Sequence, residues 1–386
     1  MNTQLIQRIW HTLAVCLCTA LALASCSSNP PSADDLYKEE ASGVALVLNK
    51  FYYDVLLPNG NHIYFSGIDS EGKLENLTDD ISEIRANCGY LTGTAFFINK
   101  NGTLLTNRHV AKPIIDEDQV KLTLQNIVRY VKLLYENRMQ ELAQQYAALE
   151  EQKNACVTVD YWGDTNVDQY RLQQIEEKQQ ELSDQYDELS EGHDNLEEMS
   201  VQNIRITPVC QVGIAYNDSY INDENDFLQK NPCTVVRVAQ DEGTDLAMLQ
   251  LKSATTPSDA YVFSVNGRGA SAGLSGKLRS LLKDSDEGDG KLKMNQKLYM
   301  IGYNAGIELA TTRRGIKVQM TSGQITQLPD GDRLLYSIPT VQGSSGSPVI
   351  DEQGRLVGVN FAKLNGTDNF NFGIPMERVR AFVGAQ

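Results

Sequence analysis

The sequence predicts a mainly β chain of the barrel or sandwich kind, interrupted by a long antiparallel pair of helices. Three observations lead there. Short β-branched and aromatic runs separated by turn residues recur from about Ser42 and again from Ile204. Between about Pro113 and Asn203 this alternation gives way to apolar residues spaced three and four apart. The chain, at 386 residues, is long enough to bury one or two sizeable cores.

The first 25 residues read as a targeting segment. Arg8 supplies a positive start, and the apolar run Leu13 to Ala24 is short for a bilayer span. It ends in Leu23-Ala24-Ser25-Cys26, which resembles a bacterial lipobox; that resemblance implies lipidation of Cys26. An ordinary secretory signal or an uncleaved anchor are the other readings. Residues 26–41 begin with Ser, Pro and Asp and read as a flexible tether. The net charge is −16, and setting aside Arg8 leaves −17 from Cys26 onward. Nucleic acid and anionic membrane surfaces are poor partners for such a chain.

Residues 42–384 form the expected globular part, with a first barrel at about 42–260 and a second at about 291–375. Val44 to Leu48 is a strand, and Pro58-Asn59-Gly60-Asn61 marks a hairpin. Thr92 to Ile98 is a strand that turns at Asn101-Gly102 into Thr103 to Thr106. A helical insertion is expected over 113–203. One seam runs through Tyr135, Met139, Leu142, Tyr146 and Leu149. The other runs through Leu172, Ile175, Gln179, Leu182, Tyr186, Leu189, His193 and Leu196. Two heptad seams in succession predict a coiled-coil hairpin with its tip at Asn154 to Asn166, each helix about 40 Å or longer. Glu176 to Glu198 holds ten carboxylates and one lysine, which suits a solvated face or a docking arm for a protein partner. Strands return at Ile204 to Tyr216, Cys233 to Ala239 and Leu246 to Leu251. After a polar loop at Asn266 to Gly290 they continue from Lys297 to Phe361, and a short helix from Met376 to Val383 closes the chain.

Beyond the leader and Cys26 the cysteines are Cys88, Cys156, Cys210 and Cys233. An exported protein can keep them as disulfides, in any of three pairings. Cys210 with Cys233 is the favoured pair, since both lie in β-rich runs joined by a polar turn. No cysteine or histidine pair has metal-ligand spacing, so neither a metal nor another cofactor is expected.

The chemistry centres on Gly343-Ser344-Ser345-Gly346-Ser347-Pro348. Glycines let such a turn aim successive N–H groups into one pocket and leave a serine exposed. A serine hydroxyl needs a neutral imidazole to take its proton and a carboxylate to hold that imidazole's tautomer. Of the four histidines, His11 belongs to the leader, His193 to a helical seam and His62 to a hairpin; His109, closing a strand, is the candidate base. Asp245, at the start of the apolar strand Leu246 to Leu249, is the candidate acid.

Gly93-Thr94-Ala95-Phe96-Phe97-Ile98, Thr106-Asn107-Arg108-His109-Val110, Thr244-Asp245-Leu246-Ala247 and the Gly343 to Pro348 run appear in that order. Together they resemble a trypsin-like serine protease, closest to the HtrA and glutamyl endopeptidase branches. Val357 to Asn360 and Phe372 to Pro375 resemble the end of an HtrA protease domain. The resemblance covers about 42–112 and 204–384 and implies a double six-stranded β-barrel of the chymotrypsin type. It implies a serine endopeptidase in which His109 is general base and then acid, Asp245 orients it, and Ser345 forms the acyl-enzyme. It also implies an oxyanion hole from the N–H groups of Gly343 and Ser345. His109 and Asp245 are unusually far apart because the helical insertion intervenes, no PDZ-like module follows, and Ser347 stands where a second glycine is commoner. For specificity, the family positions fall on Thr340, Asn360 and Ala362. Pro339 argues against a preference for Arg or Lys, and Asn360 in place of a pocket histidine argues against glutamate. The expected setting is a lipid anchor in the bacterial envelope, facing periplasm or cell surface, with protein substrates. The alternative is a catalytically idle protease-fold lipoprotein that binds or scaffolds through its hairpin.

Overall fold

The computed structural model describes residues 31–198, 201–241, 243–266, 291–363 and 371–384. The expected leader, the lipidation site Cys26 and nearly all of the polar loop before Lys291 lie outside the described residues. The chain divides into two compact units. Of the described residues, one unit comprises those up to Val47, Thr92–Asn107 and those from Ile214 onward; the other comprises those within Leu48–Leu91 and Arg108–Gly213.

Strands β1 (Val44–Leu56), β2 (His62–Phe65), β3 (Gly89–Phe97), β4 (Thr103–Thr106), β5 (Arg205–Tyr216), β6 (Pro232–Val238) and β7 (Ala247–Leu251) form one sheet. Its order is β2-β1-β3-β4-β7-β6-β5, and a further β1–β5 pairing closes six of the seven into a ring with β2 added outside β1. The two predicted tight turns are where the glycines demand them. Leu56 pairs His62 across the Asn59-Gly60 turn, and Phe97 pairs Leu104 across Asn101-Gly102, with Gly60 at φ 88° and Gly102 at φ 77°.

The second barrel is closed and lies entirely within the first unit. Its strands are β8 (Lys297–Gly302), β9 (Gln319–Gln327), β10 (Leu334–Tyr336), β11 (Pro348–Asp351), β12 (Leu356–Lys363) and β13 (Asn371–Pro375). Their order is β8-β9-β10-β13-β12-β11, with Leu298 pairing Asp351 to close the ring. Leu298, Met300, Ile325, Leu334, Tyr336, Ile338 and Val349 fill its interior at 0% exposure. Alternation explains the filling, since residues two apart on a strand share one face. The expected mainly β fold of two six-stranded barrels with a helical insertion is thus the observed one.

The insertion belongs to the second unit. Helix α1 (Arg108–Ala111) is a single turn; α2 (Glu117–Asn154) and α3 (Gln169–Glu198) are long, about 57 and 45 Å at the usual rise. Asp116 caps α2 by accepting from the N–H of Asp118 and Gln119. The tip is a two-stranded ribbon, Val157–Val159 against Thr165–Val167. From Lys132 to Glu136, Glu150 and Lys153, the partners step back by equal intervals through Glu197, His193, Gln179 and Glu176. The helices therefore run antiparallel without a register slip. Leu142, Ile175, Gln179 and Leu182 are buried, and most other predicted seam residues are half-buried. Tyr146 and Tyr186 depart from that pattern, at 42% and 39% exposed. The base of the hairpin joins a core of Phe51, Tyr53, Val55, Phe65, Val120, Leu124 and Ile204.

The disulfide expectation is overturned. Cys88, Cys156, Cys210 and Cys233 all remain thiols. Cys210 packs beside the Phe51 and Tyr53 core, whereas Cys233 sits opposite Leu251 in the β6–β7 ladder. Adjacency in sequence of two β-rich runs says nothing about whether two Sγ atoms reach bonding distance. Burial pushes the Cys233 thiol up to about 12 and raises that of Cys210 as well.

Candidate active site

The run from Gly343 to Pro348 is a rigid loop between Val341 and the start of β11. Gly343 and Gly346 have φ of 95° and 88°, a region closed to most side chains. A Cβ on Gly343 would lie 2.3 Å from the Gly306 nitrogen, and one on Gly346 would lie 2.1 Å from the Thr94 carbonyl oxygen. Both glycines are therefore demanded by conformation and by space. Gly343, Ser344, Gly346 and Ser347 are buried, while Ser345 between them keeps access to solvent.

Most polar groups of the loop are committed. The N–H of Ser344 donates to the Val341 carbonyl (3.0 Å), that of Gly346 to Asn360 (2.9 Å) and that of Ser347 to Ser344 (3.1 Å). The Ser345 carbonyl accepts from the N–H of Thr94 (2.8 Å). Among the described residues no acceptor meets the N–H of Gly343 or of Ser345. The Thr94 hydroxyl donates to the Gly343 carbonyl (2.9 Å) and accepts from the Tyr303 N–H (3.1 Å). The Thr106 hydroxyl in turn donates to the Thr94 carbonyl (2.7 Å). Thr94 and Thr106, both fully buried, thus hold the loop from the β3–β4 side of the same unit.

The Ser347 hydroxyl has no partner among the described residues, although the residue is fully buried. A Cβ at Gly302 would lie 1.9 Å from that oxygen. The Ser347 side chain is accommodated because β8 ends in Gly302.

Asp245 is half-buried, just before β7. Its backbone carbonyl accepts from the Asn107 side-chain amide (2.8 Å). β7 pairs with β4 through Ala247 opposite Thr106, so the two chain segments stay together. The preceding turn is tied to the C-terminal helix: Arg378 donates to Asp241 Oδ2 (2.8 Å) and to the Thr244 hydroxyl (2.6 Å). His109 follows Asn107 by two residues, in the other unit. It lies half-buried on α1, whose Val110 and Ala111 carbonyls accept from the buried Asn49 amide (2.9 and 3.0 Å). The remaining described histidines have carboxylate neighbours elsewhere: His62 meets Asp54 at 2.6 Å and His193 meets Glu136 at 3.4 Å.

The three residues read as specificity positions are placed differently from one another. Asn360 is buried, and its amide donates to the carbonyl (3.0 Å) and hydroxyl (3.2 Å) oxygens of Ser344. Its Oδ1 accepts from the Tyr336 hydroxyl (2.8 Å), and burial raises that phenol well above its ordinary range. Asn360 thus braces the serine loop. The Thr340 hydroxyl donates to Asn371 Oδ1 (2.7 Å), and the Asn371 amide donates to the Ile338 carbonyl (2.6 Å). Ala362 pairs with Phe372 across β12 and β13. Sequence reasoning passed over Tyr336, Asn371, Arg378 and Asn49; the only signal was an isolated polar residue in an apolar strand or, for Arg378, in the terminal helix.

Comparison with known proteins agrees with this description in part. Residues 215–359 match the model of the trypsin-like peptidase domain, a stretch that contains Asp245 and Ser345 and begins after His109. No curated protein sequence matches the chain. Among solved structures, a serine endoprotease from Yersinia pestis aligns at 12% identity with a TM-score of 0.40, covering 92% of this chain and 67% of that one. The chain is similar, over the stretch matched, to trypsin-like peptidases.

Proposed function

We propose that the protein is a serine endopeptidase that hydrolyses peptide bonds of protein substrates through an acyl-enzyme on Ser345. The observation that carries the reading is the pair of unspent N–H groups flanking an accessible serine, in a loop whose other polar groups are committed. Two N–H groups that no protein acceptor takes, beside an accessible serine hydroxyl, can donate to the developing charge on a substrate carbonyl oxygen.

In the proposed cycle the Ser345 hydroxyl adds to the scissile carbonyl carbon while His109 takes its proton. The carbonyl oxygen becomes an oxyanion held by the N–H groups of Gly343 and Ser345. The imidazolium, oriented by Asp245, gives its proton to the leaving amine, and water repeats the sequence on the acyl-enzyme. Each oxyanion donor is worth about 3 kcal/mol of barrier, and the nucleophile on the order of 10⁶ in turnover. The rigid scaffold matters because the donors must already point at the site where charge develops. A lipid on Cys26 would tether this activity to the bacterial envelope.

A fluorophosphonate probe tests the reading. The full chain should form one covalent adduct on Ser345, abolished by Ser345→Ala, and should cleave casein in a Ser345-dependent manner. Absence of any adduct from the folded chain would remove the enzyme reading and leave a protease-like fold used for binding.

A further inference from the structure

The hairpin tip is built to present two aromatic rings to something. Tyr161 and Trp162 are 93% and 84% exposed and meet edge to face at 5.4 Å. They stand on a braced turn. The Asp160 carboxylate accepts from the N–H groups of Trp162 (2.8 Å) and Asp164 (2.9 Å), Asp160 and Asp164 close the backbone loop (2.9 Å), and Gly163 takes φ 89°. Two large rings held out in water on a preorganised turn are the usual anatomy of an interface anchor. The tip carries acid and no base from Asn154 to Asp168, and the Asp164 carboxylate has no partner among the described residues. That composition does not suit a leaflet of anionic lipid, where interfacial segments carry Lys and Arg.

A complementary surface exists on the same hairpin, near its base. A cavity of about 630 Å³ lies between α2 and the end of α3, with apolar walls at Val128, Leu133, Leu196 and Val201, bordered by the bases Arg129 and Lys132 and by the acids Glu136 and Glu197; Glu136 meets His193 at 3.4 Å. Lys132 is paired with Glu197 at 3.5 Å. Arg129 donates to the Asn126 amide oxygen and meets no carboxylate among the described residues. Beside the cavity α2 exposes Tyr130, Leu133 and Leu134, at 62%, 51% and 47%. Apolar walls beside a guanidinium that meets no carboxylate among the described residues thus match an aromatic pair beside a carboxylate that meets no cation among them.

We infer that the occupant is a second copy of this chain: two hairpins pair antiparallel about a two-fold axis, each tip seated in the other's cavity, with Asp164 facing Arg129 of the partner. An isologous contact requires both halves of the match on one surface, and this hairpin carries both. The arrangement also accounts for the two exposed seam tyrosines. Tyr146 lies about midway along the chain between cavity and tip, where a two-fold axis brings each such residue toward its counterpart, and Tyr186 lies within a turn of it across the hairpin. Some twelve residues of α2, about 18 Å, separate its start from Arg129, leaving the base of each helix outside the contact.

The test uses the full chain in neutral-density detergent, with Trp10→Phe so that Trp162 is the sole indole. Sedimentation should show a dimer at micromolar concentration, and Trp162 emission should shift to the blue as the dimer forms. Trp162→Ala and Arg129→Glu, both at exposed positions, should each weaken dimerisation at least tenfold, and Arg129→Glu with Asp164→Arg should restore it. A chain that stays monomeric with water-exposed Trp162 at tens of micromolar overturns the inference. So does a dimer indifferent to Trp162→Ala and Arg129→Glu, or a monomer whose Trp162 shifts to the blue only on vesicles of phosphatidylcholine and phosphatidylglycerol.

Discussion

Asn360→Ala separates a specificity role from a bracing role at one buried position. Truncation deletes the donor to Ser344 and the acceptor for Tyr336. The bonds they leave behind limit the cost. The Ser344 carbonyl keeps the Ser347 N–H at 3.1 Å, and the Tyr336 hydroxyl keeps the Phe372 carbonyl at 3.1 Å. The Ser344 hydroxyl keeps the Val341 carbonyl, so nothing is orphaned and the loss is nearer three net hydrogen bonds than three full desolvation penalties. With a small cavity the sum is about 3–4 kcal/mol. Urea unfolding should show that shift with an unchanged m value. Fluorophosphonate labelling of Ser345 should slow at least tenfold while the chain stays folded, because the carbonyl that orients the loop has lost its clamp. Tyr336→Phe, which removes the phenol's contacts with Asn360 Oδ1 and the Phe372 carbonyl and leaves that buried Oδ1 without its donor, should cost about 2–3 kcal/mol. A variant of unchanged stability whose cleavage preference moves to a different side chain would refute the reasoning, since that is what a pocket wall would do.

Two further outcomes follow from the same unit. Gly346→Ala should cost about 1–2 kcal/mol from the left-handed backbone alone, with the 2.1 Å approach to the Thr94 carbonyl adding to it; wild-type stability in urea would show that the loop re-forms without the glycine. Glu40, buried with one carboxyl oxygen unpartnered among the described residues, is pushed up to about 9, by burial first and then by the Glu39 and Asp351 carboxylates. Its folded state holds a proton that the unfolded chain releases near 4.5, so stability falls as pH rises between those values and levels off above about 9. Glu40→Gln should therefore gain on wild type by several kcal/mol between pH 5 and pH 9, read as a widening gap in melting temperature; parallel curves would show that the carboxyl ionises freely.

Much of the candidate site was legible because its chemistry is local. A glycine-bracketed serine and an aspartate just before a strand are each written within six or eight residues, whereas the histidine expected to close a strand lies on the single-turn helix α1 that follows it. The hairpin was legible for the same reason: its period of three and four persists for many turns, and the burial of Leu142, Ile175, Gln179 and Leu182 follows it. Asn360 was read as a pocket wall because its position in the chain is known while its rotamer is not. Whether an amide faces a substrate or a carbonyl sixteen residues earlier depends on which strands meet, and β12 pairing with β11 and β13 decides that.

The sequence by itself determined the alternation that makes strands, the heptads that make the hairpin, the glycines the loop requires and the residue types a serine hydrolase needs. These follow from local sterics and periodicity, which act over a few residues. Only the tertiary structure decided which N–H groups of the loop stay unspent, that Thr94 and Thr106 hold it, that Asn360 braces it, and that the cysteines remain thiols. Those depend on distances between atoms far apart in the chain, set by how the strands close and by the room each side chain is left.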